Sequence, residues 1–427
     1  MVTLLFVACI ALLALGVPVA FALGGATLFA MASGNVPLVA LPKYLFSGID
    51  LFALEAVPFF ILAAELMTGG ELSNVLLRFA SQFVGRFRGG LGHTNILTIT
   101  FFSGISGSAL ADAAGPGAIM IRMMRDDGYE PSYAAALTAA TSILGPIIPP
   151  SISVIIYALA YPEVNLVGLL IAGVVPGILI AAAMAAINHV TSVRRNYRGA
   201  TQRPTWRDYL RNTWRALPAL VLPVLILGGI ASGAFTPTEA SVVAVFYALF
   251  AGRVVYRTLS WRMLPTILAR SALMTASVLL IVGMSAAFAW VLTVSRVPQQ
   301  LTTWIVAMEL SPLVFLFAVN VLLLVFGIFI EPLPGIVVLV PILAPIAHAL
   351  GINDLQFGII MIVNLTMGMI TPPVGGLLFI TTIVAKVPLA RLVRELWPFL
   401  WAQLGVLALL TLFPSLSSWL PGLFGYR

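Results

Sequence analysis

Apolar stretches recur along the whole chain, and polar residues collect in the short segments between them. A helix of about 20 apolar residues crosses the roughly 30 Å of hydrocarbon in a bilayer, and most of these stretches reach or approach that length. They lie at 2–15, 17–33, 51–69, 132–161, 165–193, 216–233, 237–255, 271–295, 355–385 and 395–413. The pattern predicts an all-α polytopic membrane protein with about ten transmembrane helices.

Two further apolar stretches are interrupted. The stretch 91–124 contains Ser103-Gly-Ile-Ser-Gly-Ser108, and the stretch 312–350 contains Glu331-Pro-Leu-Pro-Gly335. Irregular backbone at membrane depth is tolerated only where it is buried in protein or lines a cavity. The sequence therefore predicts two re-entrant helical hairpins in addition to the spans.

Composition agrees with a membrane location. The chain is 61% hydrophobic and 9% charged, which leaves little room for a soluble domain. Its one cysteine, Cys9, excludes a disulfide within the chain and cysteine-based metal sites. The net charge of +7 favours anionic lipid headgroups or anionic substrates as partners. It does not favour nucleic acid, because the arginines lie in short loops between apolar runs.

The basic residues are distributed unevenly among the loops. Five loops hold 3, 2, 7, 4 and 3 basic residues, which is 19 of the 22 in the chain; they are 70–90, 122–131, 194–215, 252–270 and 386–394. The positive-inside rule places these loops in the cytoplasm and both chain ends outside, unless 2–33 forms one long helix. We expect amphipathic surface helices at 71–88 and 258–270, with 37–49 and 296–311 as candidates on the other face.

A proline pair breaks the chain twice at membrane depth, at Pro149-Pro150 and at Pro372-Pro373. Proline removes a backbone donor and clashes with the preceding turn, so each pair breaks a helix. The two pairs are 223 residues apart, and the same offset relates three pairs of glycines: Gly104 and Gly327, Gly128 and Gly351, and Gly145 and Gly368. The first half of the chain contains an odd number of spans, so the second half must lie inverted relative to it. We therefore expect an inverted repeat, as in alternating-access transporters.

Each broken helix leaves carbonyls at the end of its first half and N–H groups at the start of its second. Carbonyl oxygens suit Na⁺, and helix amino ends suit an anion. Side-chain oxygens accompany the breaks and the first hairpin: Ser103, Ser106, Ser108, Thr141, Ser142, Asn364, Thr366 and Thr371. For any one of them, close packing of helices is an alternative explanation. Their duplication favours a site.

Two acids lie inside the hairpins, Asp112 and Glu331. Charge at that depth is costly and commonly functional, although either acid could instead lock its hairpin against a neighbour.

Other motifs are structural. Thr236-Pro-Thr-Glu239 is typical of a capping box, and Asn353-Asp-Leu-Gln356 of a helix start. The three histidines are scattered, and no phosphate-binding Gly-Lys-Ser/Thr motif occurs, which argues against metal clusters and ATP use.

Several of these motifs together resemble a known family. They are Ser103-Gly-Ile-Ser-Gly-Ser-Ala-Leu-Ala-Asp112, Asp127-Gly-Tyr129, Gly145-Pro-Ile-Ile-Pro-Pro150 with Ser151, Phe235-Thr-Pro-Thr-Glu-Ala240, and Thr371-Pro-Pro373 with Gly375. In order and spacing they resemble the large membrane subunit of tripartite ATP-independent periplasmic (TRAP) transporters across nearly the whole chain.

The resemblance implies a function. Members of the family import organic acids (C4-dicarboxylates, sialic acids or other carboxylates) with a Na⁺ gradient across the bacterial inner membrane. A periplasmic substrate-binding protein delivers the substrate, and a small four-helix membrane subunit supports the large one. Transport is expected to follow an elevator mechanism, with two or more Na⁺ ions and no enzymatic activity.

The resemblance also implies a division of the chain. The transport domain would comprise 91–193 and 312–394. The scaffold would comprise 1–90 and 216–311, separated from the first transport segment by a cytoplasmic loop at 194–215. The C-terminal helix and tail, 395–427, would pack beside the scaffold. The segments 71–88 and 258–270 would be arms between the two parts.

The resemblance places two Na⁺ sites in this chain. One would involve Ser103, Ser106, Ser142 and Gly145, and the other Gly327, Thr366, Gly368 and Thr371. The candidates for contact with the substrate are Ser108, Asp112, Pro149, Pro150, Asn364, Pro372 and Pro373. Two alternatives remain at this point: a divalent-anion/Na⁺ symporter that needs no binding protein, and an intramembrane enzyme that uses Asp112 or Glu331.

Overall fold

The structure is a computed structural model that describes residues 1–34, 36–68, 72–199, 204–373 and 375–426. Parts of two predicted cytoplasmic loops, 70–71 and 200–203, lie outside the described residues. Within the described ranges the chain forms helices and turns and no strand, as the all-α prediction requires. Short π-helical turns at Ala113–Gly117 and Ala251–Val255 and a 3₁₀ turn at Phe52–Glu55 interrupt the α-helices.

Among the described residues, the two halves contain twelve and ten α-helices. Those of the first half are α1 (Val2–Ala14), α2 (Val19–Ser33), α3 (Ala40–Ile49), α4 (Ala56–Thr68), α5 (Leu72–Val84), α6 (Gly90–Ser106), α7 (Ala109–Asp112), α8 (Ala118–Asp126), α9 (Pro131–Ser142), α10 (Ile152–Ala160), α11 (Leu166–Ala172) and α12 (Val174–Arg194). Those of the second half are α13 (Trp206–Ala231), α14 (Pro237–Phe250), α15 (Leu264–Val294), α16 (Val297–Ala307), α17 (Pro312–Phe329), α18 (Pro332–Ala349), α19 (Asp354–Gly368), α20 (Gly376–Ala385), α21 (Leu389–Leu412) and α22 (Ser415–Leu423).

Seven helical segments in the described part of the chain are long and apolar enough to cross a membrane: α13, α14 with its π-helical extension, α15, α17, α18, α21, and α11 with α12. Shorter apolar helices include α1, α2, α19 and α20. The protein is therefore a multi-pass membrane protein, and the count of about ten spans plus two hairpins stays a prediction.

The two halves share one pattern of helix boundaries. Adding 223 to the bounds of α6 gives 313–329, which is close to the bounds of α17. The same shift superimposes α7 and α8 on α18, α9 on α19, α10 on α20, and α11 with α12 on α21. Both proline pairs have a cis peptide bond, and both Gly128 and Gly351 have positive φ, at 88° and 74°.

Local caps explain several helix starts. Thr236 accepts a hydrogen bond from the backbone of Glu239, whose carboxylate accepts one from the Thr236 backbone, so the predicted capping box begins α14. Asn353 begins α19 by accepting from the Gln356 backbone N–H at 3.0 Å. Both caps satisfy N–H groups that have no partner inside the helix.

The first halves of the two broken helices, α9 and α19, are buried along almost their whole length. Every residue of α9 from Ser132 to Ser142 is buried, and so is every residue of α19 from Leu355 to Gly368. A helix that is surrounded on all sides by other helices must be apolar or internally hydrogen-bonded all round. The hydroxyl-bearing residues of α9 and α19 meet this requirement through the contacts described below.

The predicted surface helix at 258–270 was wrong. Residues 264–270 form the first turns of α15, which continues without a break to Val294. No Gly or Pro lies between Thr266 and Val282 to end the helix. The short helix that corresponds to α5 after the shift of 223 is α16, because α5 maps to 295–307. The amphipathic α5 itself forms as predicted, with Leu72, Leu76 and Leu77 on its buried face.

The expected position of 395–427 beside the scaffold was also wrong. The helix α21 packs against α9, α12 and α19. Gln403 on α21 donates a hydrogen bond to the Ala140 carbonyl at 2.8 Å, and Glu395 forms an ion pair with Arg195 at 2.7 Å. These polar contacts attach α21 to the first broken helix and to the end of α12, and the apolar pattern of the sequence contained no information about them.

Candidate functional site

The first hairpin reverses direction at Gly107. The helix α6 ends at Ser106, and Gly107 follows with φ of 59°, a left-handed conformation that a residue without Cβ adopts at little cost. Ser108 then caps α7 by accepting from the Ala111 N–H at 3.4 Å. The returning arm runs through α7, the π-helical turn and α8.

Asp112 is the centre of a hydroxyl cluster just behind this tip. The Ser103 hydroxyl donates to one oxygen of Asp112 at 2.6 Å, and the Ser106 hydroxyl donates to the other. All three residues are buried. Each hydroxyl has one proton and uses it on the carboxylate, so the serine oxygens can only accept from, or coordinate, a further group.

The first broken helix packs directly on this tip. A methyl group added at Gly145 would lie 2.6 Å from the Ser108 carbonyl carbon and 2.9 Å from Oδ2 of Asp112, so only glycine fits there. One added at Gly107 would lie 3.1 Å from the Pro150 carbonyl oxygen. No donor in the described part of the chain reaches the Pro149 or Pro150 carbonyl. Two carbonyl oxygens of the first broken helix that accept no hydrogen bond from a described residue therefore lie beside the end of α6 and the tip.

The break after α9 is stabilised from several directions. Ser142 donates to the Thr138 carbonyl at 2.8 Å, and Leu144 donates its N–H to Thr141. The Ala140 carbonyl, which Leu144 would satisfy in a continuous helix, accepts instead from Gln403. Ser151 caps α10 by accepting from the Val154 N–H at 3.3 Å, and it donates to the Pro146 carbonyl.

The second hairpin meets the second broken helix through two glycines. A methyl group added at Gly368 would lie 2.2 Å from the carbonyl carbon of Gly327, and one added at Gly327 would lie 3.0 Å from the Leu365 carbonyl oxygen. The Thr366 hydroxyl donates to Ile362 at 2.6 Å, and the Thr371 hydroxyl donates to Met367 at 2.9 Å. As in the first half, each hydroxyl donates its one proton to a protein acceptor, so its oxygen can only accept a hydrogen bond or coordinate a cation.

Asn364 lies away from these contacts. Its amide donates to Oδ1 of Asn320 at 2.7 Å and to the Ile360 carbonyl, and Asn320 in turn donates to Thr411 at 2.9 Å. This chain of amides connects α19 with α17 and α21. The geometry therefore places Asn364 between helices and gives it no contact with the cleft described next.

A narrow cleft of about 80 Å³, open on one side, lies between the two hairpin tips and the helices α4 and α15. Residues from three helix amino ends line it: Gly107, Ser108, Ala109 and Leu110 before and in α7, Ile152 and Ser153 in α10, and Glu331, Pro332 and Leu333 before and in α18. Pro146, Met369, Ile61, Met274 and Val278 complete the lining. Amino ends carry partial positive charge, so the cleft suits an anion.

The structure thus separates the predicted site residues into groups. Ser103, Ser106, Asp112 and Gly145 come together behind the first tip, and Gly327 and Gly368 come together at the second hairpin. Of the predicted substrate residues, Ser108 lines the cleft, whereas Asp112, Pro149, Pro150, Asn364, Pro372 and Pro373 do not. Sequence reasoning missed Ser153, whose only signal was its place two residues after the cap of a broken helix.

Sequence reasoning also missed Ile61, Met274 and Val278. All three are apolar residues within apolar helices, so nothing in the sequence distinguishes them from their neighbours.

Two broken helices, two hairpins and a cleft between them in a multi-pass helical protein define a membrane transporter. Comparison with known proteins identifies the family. The family model described as "Tripartite ATP-independent periplasmic transporter, DctM component" matches residues 6–416. The chain therefore belongs to this family, as the sequence motifs predicted. It is a transporter permease and not an enzyme.

Characterised relatives agree with this assignment. The chain is 39% identical over 417 residues to the sialic acid TRAP transporter large permease protein SiaM of Vibrio cholerae, covering 97% of each protein. It is 39% identical over 402 residues to the C4-dicarboxylate TRAP transporter large permease protein DctM of Pseudomonas aeruginosa, covering 94% of this chain and 93% of that protein.

A solved structure shares the fold. The Alcanivorax borkumensis YdaH transporter, whose structure is described as having an unusual topology, matches with a TM-score of 0.67 over 88% of this chain and 87% of that one. The two sequences are 16% identical, so this match concerns the fold alone.

Proposed function

We propose that this chain carries an organic acid across the bacterial inner membrane together with Na⁺. The observation that carries the proposal is the separation of two kinds of polar group. Oxygens without available protons gather where the first hairpin meets its broken helix, backbone meets backbone at the corresponding contact of the second, and helix amino ends gather at the cleft. The first environment suits a hard cation and the second suits a carboxylate.

The first Na⁺ site is proposed between Ser103, Ser106 and the backbone at Gly145. The Asp112 carboxylate supplies a negative charge beside it and fixes the direction of both hydroxyls. The Pro149 and Pro150 carbonyls, which accept no hydrogen bond from a described residue, are further candidate ligands. Ser142 uses its proton on Thr138, so it too could offer only an oxygen.

The second Na⁺ site is proposed beside Gly327 and Gly368. The Thr366 and Thr371 hydroxyls donate to backbone carbonyls of the preceding helical turn. Their oxygen lone pairs are therefore available to a cation. Close approach of the two glycines brings the backbone of α17 onto that of α19. Ion binding at this contact would therefore depend on the position of the second hairpin.

The substrate is proposed to bind in the cleft, through its carboxylate. Ser108 and Ser153 lie at the amino ends of α7 and α10, and each has a hydroxyl proton that no described acceptor takes. A helix amino end contributes on the order of 0.3–1 kcal/mol toward an anion, so three of them provide a substantial part of the binding energy. Sialic acid and C4-dicarboxylates, the substrates named for the relatives, both carry the required carboxylate.

We propose that the two hairpins and both broken helices move as one body in an elevator mechanism. The common boundary pattern of the two halves supports an inverted repeat, and the cleft lies at the junction of this body with α4 and α15. The body would comprise 91–193 and 312–394, together with α21, which is attached to it through Gln403 and Glu395. The scaffold would comprise 1–90 and 216–311.

The proposed partners are a periplasmic substrate-binding protein and a small four-helix membrane subunit. The family description itself specifies a tripartite, ATP-independent periplasmic transporter. The test is uptake of labelled sialic acid and C4-dicarboxylates into proteoliposomes that contain this chain and the small subunit, with the binding protein added outside. We expect uptake only with an inward Na⁺ gradient and the binding protein. Uptake by this chain alone, or uptake without Na⁺, would contradict the proposal.

A further inference from the structure

A small polar cleft lies between α5 and α13 and shares no lining residue with the cleft at the hairpin tips. Asn74, Val75, Arg78, Asn212 and Arg215 line it, and it is a shallow, partly open depression of about 30 Å³. Two arginines and two asparagines face the same space, and no carboxylate of a described residue lines it. Two guanidinium groups in one cleft repel each other unless an anion lies between them.

The polar groups of this cleft have their donors free. The side chains of Arg78, Arg215, Asn74 and Asn212 form no hydrogen bond or ion pair with any residue that the structure describes. What distinguishes Arg78 and Arg215 is that both line one cleft together with two side-chain amides. A planar guanidinium recognises phosphate with two parallel hydrogen bonds, and side-chain amides add further donors.

The cleft is held open by contacts between the two helices. The Gln82 amide donates to the Thr213 hydroxyl at 3.2 Å, and the Tyr209 hydroxyl donates to the Gln82 carbonyl at 2.9 Å. On the far side, the Tyr256 hydroxyl donates to the Arg215 carbonyl at 2.9 Å. The helix backbones that carry the two arginines are therefore held at a fixed separation before any ligand arrives, which lowers part of the entropic cost of binding.

The surroundings are those of a membrane surface. The helix α5 is amphipathic, with Arg78 on its exposed face, and the exposed aromatic residues Phe83, Trp206 and Trp214 lie on the same two helices. Trp and Tyr collect at the level of the lipid headgroups, and an amphipathic helix rich in Arg lies in that layer. The basic loops that adjoin α5 and α13 belong to the face with 19 of the 22 basic residues.

We propose that this cleft binds the phosphate of an anionic phospholipid and that the lipid connects α5 with α13. The helix α5 leads from α4 into the first hairpin, and α13 begins the second half of the scaffold. A headgroup between Arg78 and Arg215 would join these two helices at the membrane surface. The proposal does not depend on the transported substrate or on Na⁺.

The test measures lipid retention by the full chain. The chain is purified from nanodiscs that contain phosphatidylglycerol and phosphatidylcholine, and the bound lipids are counted by native mass spectrometry. The variant Arg78→Gln/Arg215→Gln is compared with Arg207→Gln/Arg262→Gln, which removes two exposed arginines outside the cleft and leaves the same net charge. We expect the affinity for phosphatidylglycerol to fall about thirty-fold in the first variant, since each arginine near an anionic headgroup contributes roughly a fivefold gain. The control variant should retain the lipid.

Three outcomes would overturn the proposal. The cleft variant could retain phosphatidylglycerol as the wild type does, or the control could lose it equally, which would indicate general charge attraction. Inorganic phosphate could also displace the lipid completely at millimolar concentration, which would identify a soluble anion as the ligand. Arg78→Lys/Arg215→Lys keeps both charges, so its retention of the lipid shows that any loss in the glutamine variant is not a folding defect.

Discussion

Gly368→Ala is predicted to weaken Na⁺-dependent transport without unfolding the protein. The added methyl group would lie 2.2 Å from the carbonyl carbon, 2.4 Å from Cα and 2.4 Å from the carbonyl oxygen of Gly327. Real contacts of this kind are essentially never shorter than 3.0 Å, so the backbone of α17 must move by at least about 0.8 Å. All the atoms it meets belong to the backbone, so no side-chain rotation can relieve the clash.

The magnitude follows from the cost of overpacking. Such insertions cost about 1–3 kcal/mol, and if the cation site depends on the contact, this corresponds to a roughly 5- to 150-fold rise in the Na⁺ concentration for half-maximal uptake. The measurement is a Na⁺ titration of uptake in proteoliposomes, combined with thermal unfolding of the purified variant with and without Na⁺. The stabilisation that Na⁺ gives to the wild type should be reduced in the variant.

Gly405→Ala is the matched control for this substitution. Gly405 lies within α21, and a methyl group there would meet no atom within 4 Å. In a helix interior this change is expected to be neutral or to stabilise by up to about 1 kcal/mol. If Gly368→Ala has the same Na⁺ titration as Gly405→Ala, the contact between the second hairpin and the second broken helix has no part in ion binding.

Three further substitutions test other parts of the structure. Asp112→Asn removes the carboxylate that accepts from two hydroxyls. We expect the half-saturating Na⁺ concentration to rise about tenfold or more, because hydrogen bonds to charged groups contribute about 1.5–3 kcal/mol. An unchanged Na⁺ titration would contradict this. Gln403→Leu leaves the buried Ala140 carbonyl without its side-chain donor. The free energy of unfolding should fall by about 1–3 kcal/mol in a thermal melt. A wild-type melting curve would refute the role of that bond. Arg195→Gln breaks a partly exposed ion pair with Glu395. The free energy of unfolding should fall by about 1 kcal/mol or less, and this effect should shrink at high salt. A large, salt-independent loss would show that another contact is involved.

Features of the sequence that repeat at one offset were the most informative about the structure. The register of 223 residues identified Gly145 and Gly368, and both lie at a close backbone contact with a hairpin or its tip. A glycine under such a constraint is visible in a sequence because no other residue can replace it sterically. The hydroxyl cluster around the first tip was visible for a related reason, since Asp112 and its serines interrupt an apolar run.

Contacts between distant apolar helices were not predictable in this way. The cleft-lining residues Met274 and Val278 belong to a helix whose apolar pattern continues through both of them. The packing of α21 depends on single polar residues such as Gln403, which from sequence alone could equally have bonded within its own helix. Arg262 and Arg270 make the segment 258–270 resemble a separate surface helix. The helix α15 nevertheless runs through its second part, because no Gly or Pro between Thr266 and Val282 ends it.

The two halves of the repeat differ at one position that bears on the order of ion binding. The shift of 223 carries Asp112 to Gly335, and a methyl group at Gly335 would already lie 3.0 Å from the Leu365 side chain, which leaves no room for a carboxylate. The first proposed cation site would therefore have a carboxylate beside it, and the second proposed site would rely on neutral oxygens. We expect the first site to fill at lower Na⁺ concentration and to empty last, so that the second ion governs release to the cytoplasm. Two unequal Na⁺ affinities in a binding isotherm, of which Asp112→Asn weakens only the tighter, would establish this order.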